Sequence, residues 1–321
     1  MSYKNIYILG VGGSGMSSIA KYLKQKGDNV IGYDQRKSYV TNLLNQDGIK
    51  VVHTLDEITY KPESLYIYSS AIPIESDRFE DFYDKENVLS RPEYLKNLSE
   101  NHKIIGITGT HGKTSTTALL SHIFHFNNVN VSYLYGGITT FNGIGGHYGD
   151  PDQPLILETD EAFNTFEKIK ISDLLVLNVD SDHLDYFKNL DNYKDAFYKV
   201  MKNVTDNLVI NNDDLNIKSM KELKNPVSYG KDISADFKVQ SPGTFIYENN
   251  KYEIKSDIIG DHFKSNMLGA IILALLNGIE IKDSLNAIES FAGVKRRIEL
   301  IGISKGVLIY DDYGHHPTEM E

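Results

Sequence analysis

The sequence predicts an α/β protein: a Rossmann-like N-terminal domain followed by a P-loop-type central α/β domain with an antiparallel edge. Three observations carry this expectation. Short apolar runs alternate with amphipathic stretches through the N-terminal third, the pattern of βαβ units around a parallel sheet. A strand, a glycine-rich turn and a helix follow one another twice, near residues 6–20 and again near 104–126. Beyond Asp236 the pattern changes to alternation, the signature of antiparallel hairpins.

In chain order, apolar runs at 6–9, 30–33, 50–52 and 65–68 read as strands, and the amphipathic stretches 16–25 and 41–46 as helices. A polar stretch at 97–102 precedes a fresh apolar strand at 104–107, which places a domain boundary between 1–101 and 102–302. After a helix at 113–126, the runs 155–157 and 173–179 are apolar enough to be central strands buried on both faces. Phe237 and Val239, Phe245 and Tyr247, and Tyr252 and Ile254 then alternate around Asn249 and Asn250, as hairpin strands do. Helices at 261–277 and 282–291 and strands near 299–303 and 306–310 complete the pattern. The chain stops eleven residues after Tyr310, an odd place for a folded domain to end.

Composition narrows the function. The 321 residues suffice for two domains with their own cores, and 40% hydrophobic residues exclude a disordered chain. The absence of cysteine excludes a disulfide scaffold and a thiolate metal site. With 33 basic against 44 acidic side chains and a net charge of −11, no nucleic-acid coat is expected, because phosphate-backbone affinity needs clustered lysine and arginine. The longest apolar run, 271–276, is far short of the ~20 residues that span a bilayer, and no signal region precedes the first strand. A cytoplasmic enzyme with no membrane partner is expected.

The first turn, Gly10-Val11-Gly12-Gly13-Ser14-Gly15, is a GxGxxG between a strand and a helix. Glycine is needed where backbone turns tightly and approaches a diphosphate, and the helix N-terminus adds partial positive charge. Asp34 ends the next strand, nineteen residues after Gly15, where a carboxylate can accept from a ribose. The plain alternative is a turn that only packs the helix on the sheet. The second turn, Gly106-Ile107-Thr108-Gly109-Thr110-His111-Gly112-Lys113-Thr114, resembles a Walker A loop, although five residues, not four, separate Gly106 from Gly112. In such a loop amides cradle phosphates, lysine reaches the β and γ phosphates and the final hydroxyl holds Mg²⁺. ATP is the expected ligand; an oxidoreductase binding a nicotinamide at the first turn leaves GKT unexplained. Glu158, Thr159, Asp160 and Glu161 follow one predicted strand; Asn178, Asp180, Asp182, His183 and Asp185 cluster at the end of another. Oxygen donors with one imidazole suit Mg²⁺ or Mn²⁺ beside phosphates, whereas isolated acids at strand ends commonly cap helices.

Taken together, GVGGSGMSSIA (10–20), SSAI (69–72), RPEYL (91–95), GITGTHGKTSTT (106–117), ETDE (158–161), NVDSDHLDYF (178–187), GVKRRIE (293–299) and DDYGHHPTE (311–319) resemble the Mur ligases over nearly the whole chain. The resemblance implies an ATP-dependent amide-bond ligase of peptidoglycan precursor synthesis. ATP and Mg²⁺ are the implied cofactors, UDP-N-acetylmuramate and L-alanine the implied substrates, and an acyl phosphate the implied intermediate. It assigns catalysis to Lys113, Glu158 and His183, and the metal to Thr114, Glu158 and His183. The ATP site would comprise Gly109, Thr110, His111, Gly112, Lys113, Thr114, Ser115, His262, Asn266, Arg297, Asp311 and His315. The UDP-sugar site would comprise Gly12, Gly13, Ser14, Gly15, Asp34, Ser69 and Ser70. Phe263 stands where the family carries asparagine, and Ala162, Phe163 and Asn164 depart from its usual continuation. By the same resemblance, residues 303–321 would begin the family's third domain, otherwise absent, so that the chain is expected to be a truncated one with little turnover alone. A non-catalytic UDP-sugar-binding module and the related peptide-recycling ligase are the alternatives.

Overall fold

The computed structural model describes residues 3–161, 165–181, 184–220 and 222–314, the side chains of 184 and 185 excepted. By internal contacts the chain forms two units. In the first, five strands, β1 (Asn5–Leu9), β2 (Val30–Tyr33), β3 (Lys50–Val52), β4 (Ser64–Tyr68) and β5 (Val88–Ser90), form a wholly parallel sheet in the order β3-β2-β1-β4-β5. Its helices are α1 (Ser14–Lys26), α2 (Tyr39–Gln46) and α3 (Arg91–Ser99). Local chemistry starts and stops them: Ser38 with Thr41 and Ser90 with Glu93 form reciprocal capping boxes at α2 and α3, and Gly27, in the left-handed region, ends α1. Aromatic rings fill one face of the sheet, with Tyr7 and Tyr66 stacked at 4.9 Å among Tyr33, Phe79 and Phe82.

The chain enters the second unit through β6 (Ile104–Thr108) and α4 (Lys113–Phe126), then forms β7 (Ser132–Thr139) and β8 (Gly143–His147). Residues 131–136 and 144–155, which carry most of this hairpin, belong to the first unit. There Lys21 of α1 donates to the Ile144 carbonyl at 3.2 Å, the Tyr148 amide donates to Gln25 at 3.0 Å, and Tyr22 meets Tyr148 edge-on. No element was expected in this stretch, because Gly136, Gly137, Gly145 and Gly146 interrupt the apolar alternation that marks a strand. Gly146 permits the close approach to α1: a Cβ there would lie 2.0 Å from the Ser18 carbonyl oxygen.

In the second unit, β9 (Leu155–Glu158), β10 (Asp173–Val176), β11 (Asn207–Asn211), β12 (Val227–Gly230), β13 (Phe237–Ser241), β14 (Thr244–Tyr247) and β15 (Asn250–Glu253) join β6 in the order β15-β14-β13-β12-β11-β10-β6-β9. β6 and β10 to β13 run parallel, and β13, β14 and β15 are antiparallel, forming the expected edge. Between the strands lie α5 (Leu184–Phe187), α6 (Leu190–Lys202) and α7 (Leu215–Ser219); after them come α8 (Asp261–Leu276), α9 (Ile281–Glu289) and an antiparallel hairpin, β16 (Glu299–Ser304) with β17 (Val307–Asp311). α8 packs on α4 and against β10 to β12, and its apolar run 267–274 is buried almost completely. Buried Asp173 anchors the start of β10, accepting from Asn207 at 2.6 Å and pairing with Lys103 at 3.0 Å.

The strand expected over 173–179 ends at Val176. Gly109, at φ +146°, rests on Leu177 and Asn178, where its missing Cβ would lie 3.0 Å from Leu177 Cβ; the chain therefore leaves the sheet beneath the glycine loop.

Gly146→Ala is expected to destabilise the protein by about 1–3 kcal/mol, because the methyl meets α1 backbone and no flexible side chain can yield. Urea unfolding followed by tyrosine fluorescence reads this as a lower midpoint.

Candidate active site

In the first unit the residues assigned to the UDP sugar gather at the carboxyl ends of β1, β2 and β4. Gly10 turns at φ +79° with its amide on the Tyr33 carbonyl, and α1 starts after Gly13 with no side-chain cap. Asp34 accepts from the Gly12 amide at 2.9 Å and from the Arg36 amide at 3.0 Å, so this carboxylate ties β2 to the turn. Ser69 donates its amide to Leu9 and accepts from the Ala71 amide; Ser70 is exposed. The structure adds Arg91, at the head of α3: a Cβ on Gly15 would lie 2.8 Å from its Nε, so the guanidinium lies against the helix start. RPEYL was legible as a motif, but only the fold brings its arginine to the turn.

In the second unit the loop Gly109-Thr110-His111-Gly112 joins β6 to α4 and is held from below by Asn178. The Asn178 amide group accepts from the His111 N–H at 2.8 Å and donates to the His111 carbonyl at 3.0 Å, while the Thr110 N–H donates to the Asn178 carbonyl. The Thr110 hydroxyl accepts from the Asp180 amide and meets the Tyr193 hydroxyl at 3.0 Å. His111 Nε2 lies 3.5 Å from Asp180. Gly112, at φ +84°, has the Asn266 amide where a Cβ would sit, so α8 reaches the loop through Asn266.

Behind the loop the charged groups pair. Thr114 Oγ1 donates to Glu158 at 2.7 Å, and Lys113 Nζ donates to Glu161 at 2.9 Å. Burial pulls the Lys113 pKa down, but Glu161, Asp160 and Glu158 outweigh it, so the ammonium titrates above its ordinary value. Burial pushes the Glu161 carboxyl up against the pull of Lys113. The hydroxyls of Thr116 and Thr117 donate to the carbonyls of Gly112 and Lys113 and serve the helix itself.

Ser115, Asn266 and Arg297 line one narrow cleft with Phe263, Phe291 and Val294. His262 does not join them: it lines a separate cavity of about 220 Å³ with Asp213, Lys231, Phe245 and Ser265, and burial lowers its pKa. Asp311 lies 3.7 Å from Arg296, and Tyr313 lies under both arginines, 5.1 and 5.3 Å from their guanidinium carbons. His183, Asp182 and His315 lie outside the described residues, as do Ala162, Phe163 and Asn164, and nothing is described of the Asp185 side chain. Among the described residues no group of three or more His, Asp or Glu forms a metal cluster, but Thr114 and Glu158 present adjacent hard oxygen atoms that suit Mg²⁺.

Asn178→Ala removes both hydrogen bonds to His111 and is expected to destabilise the protein by about 1–3 kcal/mol. Thermal unfolding of the ligand-free protein is the measurement.

The chain is similar to known proteins over nearly its whole length. The family model described as "Mur ligase middle domain" matches residues 107–274, and "Mur ligase family, catalytic domain" matches 5–103. The chain is 34% identical over 333 residues to the UDP-N-acetylmuramate–L-alanine ligase of Clostridium botulinum strain Langeland, covering 99% of this chain and 72% of that protein. It is 32% identical over 343 residues to the enzyme of the same name from Cytophaga hutchinsonii, with the same coverage. Among solved structures, the UDP-N-acetylmuramate-alanine ligase of Thermotoga maritima superposes with a TM-score of 0.84 at 25% identity, over 98% of this chain and 75% of that one. A murein peptide ligase from Psychrobacter arcticus shares the fold, with a TM-score of 0.78 at 24% identity, over 99% and 74%. A glycine loop clamped by Asn178, the Lys113 and Thr114 pairings behind it, and these matches lead to one conclusion: the chain belongs to the Mur ligase family.

Proposed function

We propose that the protein joins L-alanine to the muramyl carboxylate of UDP-N-acetylmuramate at the expense of ATP. The second unit takes ATP and the first takes the nucleotide sugar. The observation that carries this reading is the head of α4, where Lys113 and the Thr114–Glu158 pair sit directly behind the glycine loop. The carboxylate attacks the γ-phosphorus and ADP leaves; the alanine amine then attacks the acyl carbon, phosphate leaves, and the amine gives up its proton. Both steps bring anions together, so cationic groups and positioning carry the catalysis. Lys113 supplies a fixed positive charge to the transferring phosphate, and the amides of the 109–112 loop and the N-terminus of α4 hold the others. Mg²⁺ would be held by Thr114 and Glu158, with His183 as a further donor, and would neutralise phosphate charge. Asn266 and Arg297 lie beside Ser115, where they can contact the rest of the nucleotide.

At the other ligand, Gly12, Gly13, Ser14 and Gly15 present the head of α1 to the diphosphate, with Ser69 and Ser70 beside the turn. Arg91 adds a cation there, and Asp34 fixes the turn and can accept from the ribose. No described helix is long and apolar enough to cross a membrane, which agrees with action in the cytoplasm, where ATP and nucleotide sugars meet.

Lys113→Ala in the complete gene product is expected to lower phosphate release by at least about 10²-fold while leaving UDP-N-acetylmuramate binding near normal. Unchanged turnover would show that the γ-phosphate lies elsewhere. Arg91→Ala should weaken UDP-sugar binding by about tenfold without altering ATP binding, measured by calorimetry. Release of phosphate that depends on a tripeptide acceptor and not on L-alanine would reassign the protein to the peptide-recycling branch.

A further inference from the structure

Lys113 points back into its own loop. Its ammonium donates to the Gly109 carbonyl at 2.6 Å, to the Thr110 carbonyl at 3.1 Å and to Glu161 Oε1 at 2.9 Å. An ammonium has three N–H donors, and these three acceptors use all of them. Glu161 Oε2 lies 2.9 Å from the same nitrogen, so the carboxylate faces the cation with both oxygens. Glu161 is wholly buried beyond the end of β9, and the Tyr193 hydroxyl of α6 reaches its Oε1 at 3.4 Å. The Lys113 side chain is 15% exposed.

A phosphate oxygen can therefore take a hydrogen bond from Lys113 only when one present acceptor lets go. Two of the three are main-chain carbonyls of the loop. The third is a full negative charge, which competes with a phosphate for the same cation in a site where water screens little. Without any anion, a largely buried ammonium beside the loop would be uncompensated, which is strongly destabilising. We infer that Glu161 is a positioning residue that parks Lys113 on the empty loop, standing in for a phosphate oxygen, so that nucleotide entry exchanges one anion for another. The inference rests on the ATP reading of this loop. It explains how the loop keeps its shape before a ligand arrives, and it means that the formed loop binds nucleotide less tightly than the same loop would without the resident carboxylate.

The test is calorimetric titration of the 321-residue chain and its variants with MgADP and with the Mg²⁺ complex of a non-hydrolysable ATP analogue. Glu161→Gln keeps the shape and one hydrogen-bond acceptor but removes the charge. It is expected to bind nucleotide about tenfold more tightly, while the nucleotide-free variant unfolds at lower urea than wild type. A residue with only a structural role would lower stability without tightening nucleotide. Should Glu161→Gln fail to fold, Glu161→Asp carries the test: it keeps the charge, reaches one methylene less far toward Lys113, and should tighten binding by a smaller factor. Folded variants that bind nucleotide as wild type does, or more weakly, overturn the inference. A wild-type chain that binds neither nucleotide would instead remove the ATP reading itself, and the inference with it.

Discussion

The second unit depends on one close approach, the seating of Gly109 on Leu177 and Asn178. Because glycine lacks a Cβ, the loop after β6 can lie on the chain leaving β10, and that contact decides several things together. It ends β10 at Val176, turns the Asn178 side chain up to bond both the N–H and the carbonyl of His111, and carries Asp180 to the Thr110 hydroxyl. A larger residue at 109 would separate the strands' ends, and the main-chain amides that the loop presents would lose their common direction. The first unit uses the same economy at Gly12, where the absence of a Cβ lets the Asp34 carboxylate reach the turn's own amide.

Much of this was legible in the sequence, and the reason is local. Strand, glycine turn and helix leave marks within a dozen residues, so β1 with α1 and β6 with α4 were expected nearly to the residue. The antiparallel edge was visible because Phe237, Phe245 and Tyr252 keep strict alternation on half-buried strands. Thr114 and Glu158 could be paired in advance, since strand ends in an open α/β sheet converge on one edge.

What escaped depends on distance along the chain. Glu161 belonged to a visible acidic run, yet nothing local separates it from Glu158: one faces the lysine, the other the threonine, and only the path after β9 decides which. Arg91 sits in a motif whose neighbours describe a helix cap, while its contact with Gly15 bridges most of the first unit. His262 and Asn266 lie one turn apart on α8, a spacing that suggests a shared site, yet His262 lines a cavity with Lys231 and Phe245 whereas Asn266 lines the cleft with Ser115 and Arg297. The hairpin β7–β8 was missed for the opposite reason, since Gly146, which lets it lie on α1, is one of the glycines that erase a strand's pattern.

That hairpin has a consequence for how the protein is made. The first unit is discontinuous: its sheet is complete by residue 90, but it also takes in residues 131–136 and 144–155, and the partners of Lys21, Tyr22 and Gln25 of α1, Ile144 and Tyr148, arrive only with the latter. During synthesis the N-terminal unit must wait, with part of α1 uncovered, until β6 and α4 of the second unit have already left the ribosome. The two units therefore cannot mature strictly one after the other, and a gene cut between them at residue 102 would divide the first unit rather than free it.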